Sequence, residues 1–266
     1  MSDSKELVQS VDRAMILLET LCRADKGISL QELAQAAQLP KSTAHRLLKT
    51  LIHHNLVSQD SQKSVYTPGL RLFELAYSQI NSLSLRPKAA PFVTELARQT
   101  NETIHLAVLD DYEVVYIEKE ETDHPIRMHS AIGRRSPAHC TGLGKAMLAY
   151  LSDQELESAV QRKGLTRYTP RTIASLRGLK EHLALVRSKG YAIDDAEHEE
   201  EIRCVAAPIR DHRGKVIAAL SLSIPSMRCD RQRIESFAPS VCHCADQISR
   251  QMGYVRADTL QEETSE

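Results

Sequence analysis

The chain has 266 residues, 42% of them apolar, which suits two domains or one large one with a sizeable core. Tryptophan is absent and only three phenylalanines occur, so that core must be aliphatic. Lysine and arginine number 34 against 35 acids, a net charge of −1, so the chain is no polycation and an anionic partner would have to meet a local patch.

The opening stretch MSDSKELVQS has no apolar signal region, and no apolar run approaches the ~18 residues of a membrane span. A cytoplasmic protein without membrane contact is therefore expected. Val8, Val11, Ala14, Met15, Leu18 and Leu21 recur at helical spacing over residues 8–24. After Asp25-Lys26-Gly27, Ser29 and Glu32 match a capping box that opens a short second helix, closing near Gln38. Pro40 suits the first turn of a third helix. In it Ala44, Leu47, Leu48, Leu51 and Ile52 make an apolar stripe, and Ser42, His45, Arg46 and Lys49 a polar one on a different face. Val57–Gln59 and Ser64–Thr67 read as strands of a hairpin around Asp60 to Lys63. Three helices and a hairpin predict a winged helix-turn-helix over residues 1–68. Leu70, Phe73, Ala76, Tyr77 and Ile80 then predict a connector helix, within a linker of residues 69–87.

The rest alternates differently. A helix over 88–100 precedes TIHLAVL and EVVYIEK, two strands joined at Asp110-Asp111, with IRMHSA as a third. Helices are predicted over 141–151, 152–163 and 175–189. CVAAPI and KVIAALSLSI form a second hairpin, and a closing helix runs from Arg231 to Met252. Hairpins with helices between them predict an α+β domain over 88–255, an antiparallel sheet with packed helices. Residues 256–266 read as a solvated tail.

From Pro40 to Arg71, five basic residues (Lys41, Arg46, Lys49, Lys63 and Arg71) face Asp60 alone. A basic, hydroxyl-rich face at the start of the third helix is what a major groove requires. Lysine and arginine neutralise phosphates, while Arg46, His45, Ser42 and Thr43 can reach base edges. Lys63 sits on the wing, where the adjacent backbone would lie. The alternative is a solvated helix face; the capped preceding helix, the short turn and the wing favour double-stranded DNA.

In the second domain Thr141-Gly142-Leu143-Gly144-Lys145-Ala146 fails the phosphate-loop pattern at His139 and Ala146, and the dinucleotide pattern at Met147. No nucleotide cofactor is expected. A glycine turn opening a helix remains, suited to a carboxylate or simply close-packed. Ser221 and Ser223 share one strand face, so if it points inward their hydroxyls need a ligand or backbone as partners. Cys204 begins the neighbouring strand. As a nucleophile with His198 and Asp194 it would lie beside the six acids of DDAEHEEE, which favour a protonated thiol; most of that run is expected to be a solvated face. The six cysteines fit no disulfide scaffold, and Cys242-His243-Cys244 puts its thiols on different sides of a helix, so no metal is expected.

LPKSTAHRLLKTLIHHNLV resembles the recognition-helix signature of the IclR family of bacterial transcriptional regulators. The resemblance resumes in ETIHLAVLDDYEVVYIEK, RMHSAIGRRSPAHCTGLGKAMLAY, GYAIDDAEHEEEIRCVAAPI and SLSIP, and so covers nearly the entire chain. RMHSAIGRRSP is similar to the sugar-acid-responsive KdgR branch. The resemblance implies a GAF-like effector domain and a repressor of a carbohydrate-acid catabolic operon. It implies a pocket from the backbone of Gly142 and Leu143 with Asp194, Cys204, Ser221, Ser223 and, as an apolar wall, Met128. Arg127, Arg134 and Arg135 are further candidates for a carboxylate. A sugar acid or 2-oxo acid effector and a homodimer or homotetramer follow as expectations. The competing readings are an enzyme centred on Cys204 with an appended DNA-binding module, and an effector-free DNA-binding oligomer.

Overall fold

The structure, a computed structural model, describes residues 8–24, 26–60, 64–75, 85–121, 124 and 130–255. Lys63, Arg127, Met128, most of IRMHSA, the connector beyond residue 75 and the tail from residue 256 lie outside the described residues. The chain divides into two compact units, Met1–Leu83 and Ser84–Glu266.

The first unit holds α1 (Gln9–Cys22), β1 (Ile28–Ser29), α2 (Leu30–Ala36), α3 (Lys41–His53), β2 (Val57–Asp60), β3 (Val65–Pro68) and helical residues 70–75, labelled α4. The Ser29 capping box forms as expected: its side chain accepts from the Glu32 N–H, and the Glu32 carboxylate accepts from the Ser29 N–H at 2.9 Å. Pro40 is the cap of α3 rather than part of its first turn. The hairpin of β2 and β3 gains a third strand that periodicity did not show: Ile28 and Ser29 pair with Tyr66 and Val65, giving the order β1-β3-β2. Leu17, Leu21, Leu33, Ala44, Leu48, Leu51, Val57 and Tyr66 make its core, so α3 is fixed by its apolar stripe and shows its polar stripe outward.

The second unit is a six-stranded antiparallel sheet, order β6-β5-β4-β9-β8-β7, with helices on both faces. Its elements are α5 (Leu85–Thr100), β4 (Thr103–Asp110), β5 (Glu113–Glu120), β6 (Arg135–Pro137), α6 (Gly142–Leu148), α7 (Asp153–Lys163), α8 (Leu176–Lys189), β7 (Ala192–Asp195), β8 (Ile202–Arg210), β9 (Val216–Pro225), α9 (Arg231–Ser236) and α10 (Ala238–Gln251). One sheet face buries Ile104, Leu106, Val205, Leu220, Leu222 and Ile224 under α5 and α10. The other presents Ala107, Ala206 and Ala219 to α6. Small residues there let α6 lie close to the strands.

Four further expectations are corrected. The turn between β4 and β5 is at Asp111-Tyr112, both at positive φ (45° and 61°), as two-residue hairpins with the strands' own twist require. The closing helix is two helices, because Pro239 near the start of α10 has no N–H to continue a bond from α9. The helix expected over 141–151 ends at Leu148. The acidic run is not mostly solvated: Asp194 and Asp195 lie in β7, and Asp194 and Glu197 are buried.

Candidate functional site

On the exposed face of α3, Lys41, Ser42, His45, Arg46 and Lys49 all reach solvent, with Thr43 half-buried beside them. Lys41 donates to Gln31 of α2 at 3.0 Å. Arg46 and Lys49 have no acidic partner among the described residues, which leaves their charge for an anionic partner such as a phosphate. Apolar residues are also exposed in this unit: Val8, Val11 and Met15 about one turn apart at and along the start of α1, and Leu70 and Phe73 in α4.

In the second unit, strand register assembles the candidate pocket. Thr103, Ser223, Cys204 and Asp194 stand in one row across β4, β9, β8 and β7, and His105, Ser221 and Ala206 in the next. Alternation along each strand turns all of these to the same face. The start of α6 lies above them. A Cβ on Gly142 would come within 3.4 Å of Ala206, 3.5 Å of Cys204 and 3.8 Å of Asp194, so the glycine seats the helix start on the rows. Thr141 caps it by accepting from the Gly144 N–H at 3.2 Å. The N–H groups of Gly142 and Leu143 precede the first helical bond and have no acceptor among the described residues.

A cavity of about 50 Å³ lies between helix start and rows. Gly142, Leu143, Asp194, Cys204, Ser221 and Ser223 all line it, so the structure brings together every described member of the expected pocket. His105, Tyr116, Ser130, Thr141, His198, Glu199 and Ile202 line it too, and sequence reasoning did not assign them to it. Arg135 is not at the cavity; it pairs with Asp110 and Glu113.

The cavity's polar groups are mostly neutral. Burial pushes the Asp194 carboxyl up to about 7, against the pull of Lys145 and with a push from Glu197. Burial drives the Cys204 thiol well above its ordinary value, and Asp194 adds to this, so Cys204 is a protonated thiol and a poor nucleophile. Burial also lifts the Tyr116 phenol to about 12. Behind Asp194, Lys145 is 0% exposed, pairs with Glu197 and donates to the Ile193 carbonyl at 2.6 Å. The turn that delivers Glu197 carries Ala196 at φ 59°, and the Glu197 N–H donates to Asp194 at 2.8 Å. Cys242 and Cys244 face different carbonyls, those of Gly190 and Phe92. Among the described residues no group of three histidines, cysteines or acids could hold a metal, and no helix is long and apolar enough to cross a membrane.

The Asp194 shift sets a stability prediction. Its carboxyl titrates near 7 when folded and near its ordinary 3.8 when unfolded. Between those values the folded chain keeps a proton that the unfolded chain has lost, so this contribution falls as pH rises to about 7 and is flat above. Asp194→Asn is expected to remove that fall. Melting temperatures at pH 5 and pH 8 check it, and identical differences in wild type and variant would refute the assignment.

Two family models match the chain: an IclR helix-turn-helix domain over residues 10–61 and the bacterial transcriptional regulator IclR C-terminal domain over residues 77–250. The HTH-type transcriptional regulator XynR of Escherichia coli (strain K12) is 38% identical over 248 residues, covering 93% of this chain and 98% of XynR. The regulator KdgR of the same organism is 37% identical over 247 residues, 93% and 94% of the two chains. A crystal structure of an IclR homologue from Microbacterium hydrocarbonoxydans, complexed with 4-hydroxybenzoate, superimposes with a TM-score of 0.81 at 26% identity, covering 91% of this chain and 98% of that one.

Proposed function

The chain belongs to the IclR family of bacterial transcriptional regulators, and from that premise we propose that it represses a carbohydrate-acid catabolic operon and leaves its operator when a small carboxylate fills the cavity under α6. The observation that carries this reading is the convergence of Ser221, Ser223, Asp194, Cys204 and the free N–H groups of Gly142 and Leu143 on one cavity. Two N–H groups at a helix start and two hydroxyls are donors for a carboxylate and an adjacent keto or hydroxyl oxygen. Asp194, titrating near neutrality, can donate or accept there. The protonated Cys204 supports binding over turnover.

The donors that line the cavity suit short 2-oxo acids and keto-deoxy sugar acids alike. The 4-hydroxybenzoate of the Microbacterium homologue puts aromatic acids on the same test panel. Replacing Ser221 and Ser223 by alanine removes two hydrogen bonds to a charged ligand, each worth ~1 kcal/mol or more. Affinity is expected to drop at least about tenfold, while DNA binding without ligand survives. Calorimetry with pyruvate, glyoxylate, a keto-deoxy sugar acid and 4-hydroxybenzoate checks it. Equal affinity in both proteins places the ligand elsewhere, and tight binding only of the aromatic overturns the ligand class.

At the operator, α3 is the groove reader and Lys63 a phosphate contact on the wing. Arg46→Ala is expected to lose about 1–3 kcal/mol on the specific site, and Lys63→Ala to weaken all sequences alike. One small head covers part of an operator, and such readers pair on half-sites about one helical turn, or a multiple of it, apart. The exposed apolar residues of α1 and α4 fit a second copy of the chain as their cover, giving a dimer or tetramer in the cytoplasm. Anisotropy titrations against an operator fragment library, read with light scattering, test both points. Salt-independent binding, or a monomer on the DNA, would sink this part of the reading.

A further inference from the structure

His105 stands on β4 at the edge of the cavity, 3% exposed, and is hydrogen-bonded at both ring nitrogens. Nε2 is 2.7 Å from the Ser130 hydroxyl, and Nδ1 is 3.4 Å from the Ser223 hydroxyl. Burial, reinforced by the nearby Lys119 ammonium, takes the ring down to about 3, so it is neutral at physiological pH. A neutral imidazole has one donor and one acceptor nitrogen. Two hydroxyls can satisfy it in either direction, and the direction decides what Ser223 has left to offer.

Lys119 breaks the tie. It lies opposite His105 on β5, and its ammonium donates to the Ser130 carbonyl at 2.7 Å. Its positive charge is thus near Ser130, the residue bonded to Nε2. Glu121 pairs with Lys119 at 2.6 Å, yet the ammonium's effect on the ring is the larger of the two. A lone pair directed toward a cation is favoured over an N–H directed toward it. The proton therefore belongs on Nδ1, away from Lys119, and the Ser130 O–H donates to Nε2.

We propose that His105 is a positioning residue for the ligand: fixed by Ser130 as the Nδ1–H tautomer, it donates to the Ser223 oxygen and so leaves the Ser223 proton for an anionic group in the cavity. The opposite tautomer would accept that proton and leave only an oxygen lone pair to face the carboxylate. Without ligand the proton's neighbour is Cys204, whose neutral sulfur is a weak acceptor that a carboxylate outcompetes. Glu121, Lys119, Ser130, His105 and Ser223 thus form one chain of contacts leading to the cavity. This inference rests on reading the cavity as a carboxylate site, but the tautomer itself is set by the protein.

The tautomer is measured directly. In ligand-free protein labelled with ¹⁵N-histidine, long-range ¹H–¹⁵N spectra at pH 7, assigned by the loss of signals in His105→Gln, are expected to show Nδ1 protonated and Nε2 bare. Lys119→Met, which removes the charge that breaks the tie, is expected to shift the ring toward the Nε2–H form, and Ser130→Ala, which removes the hydroxyl that holds Nε2, to weaken pyruvate or glyoxylate binding about fivefold. Ser130→Thr, which keeps the hydroxyl, should retain both tautomer and affinity. In a Ser223→Ala background, Ser130→Ala should have no further effect on affinity. An Nε2–H ring in the wild type overturns the proposal, and so does an equal loss from Ser130→Ala with and without Ser223. If the wild type binds no carboxylate probe, the ligand reading fails, while the tautomer spectrum still decides the relay.

Discussion

Lys145→Ala is expected to cost about 3–5 kcal/mol of folding stability, the range for removing one partner of a buried ion pair. The ammonium is 0% exposed and holds two groups at once, the Glu197 carboxylate and the Ile193 carbonyl. Without it Glu197 and Asp194 stand buried together with no counter-charge. The damage extends to the site, because the turn after β7 is anchored there: Thr172 and Thr169 donate to the Glu197 carbonyl at 2.6 and 3.3 Å, and the Glu197 N–H holds Asp194. Glu197→Ala should be similarly harmful, since it leaves the ammonium with the Ile193 carbonyl as its one partner among the described residues. The double variant Lys145→Met with Glu197→Leu should lose much less than the sum, because it removes both charges and keeps the volume. Urea unfolding of the four proteins measures this, and a loss below about 1 kcal/mol for Lys145→Ala would show that the pair is hydrated.

That ion pair also marks where sequence reading stops. The N-terminal unit was legible because its signals are local: the stripe of α3, the capping box at Ser29 and the punctuation around the wing all lie within a few residues of what they fix. β9 was legible for the same reason, and the two-residue spacing of Ser221 and Ser223 turned both hydroxyls to one face. The run DDAEHEEE misled because its composition speaks for water, whereas its burial is decided by Lys145, 52 residues before Glu197. No window along the chain contains both. His105 is a different case. In TIHLAVL the parity that buries Ile104 and Leu106 on one face puts Thr103 and His105 on the other, so the rule used for the serines was available for β4. What it lacked was the pairing of His105 with Ser221 across strands 116 residues apart, which only the folded sheet supplies. Lys63 and Met128, the remaining expected site residues, lie outside the described residues.

Gly144→Ala and Gly142→Ala are expected to fail in opposite ways, although both would add one methyl to the same short turn. At Gly144 a Cβ would sit 2.1 Å from the Ala138 carbonyl oxygen and 2.3 Å from its Cα. These are backbone atoms next to β6, so relief requires moving the strand or the helix. The cost should exceed about 3 kcal/mol, beyond the usual range for overpacking, and the second unit should unfold well below the wild-type melting temperature. At Gly142 the neighbours are side-chain carbons at 3.4 to 3.8 Å, close to ordinary contact, and alanine gains helix propensity of up to about 1 kcal/mol over glycine. The fold should therefore persist. The new methyl, however, would occupy the cavity floor between the free N–H groups and the row of Cys204 and Asp194. Carboxylate affinity should fall by at least about tenfold, with the melting temperature unchanged or slightly raised. Thermal melts and calorimetry on both variants separate the two roles. Gly144 is where the close-packed reading of this turn applies, and Gly142 is where the ligand reading applies. A Gly144→Ala protein that melts with the wild type, or a Gly142→Ala protein that binds 2-oxo acids undiminished, would undo that division.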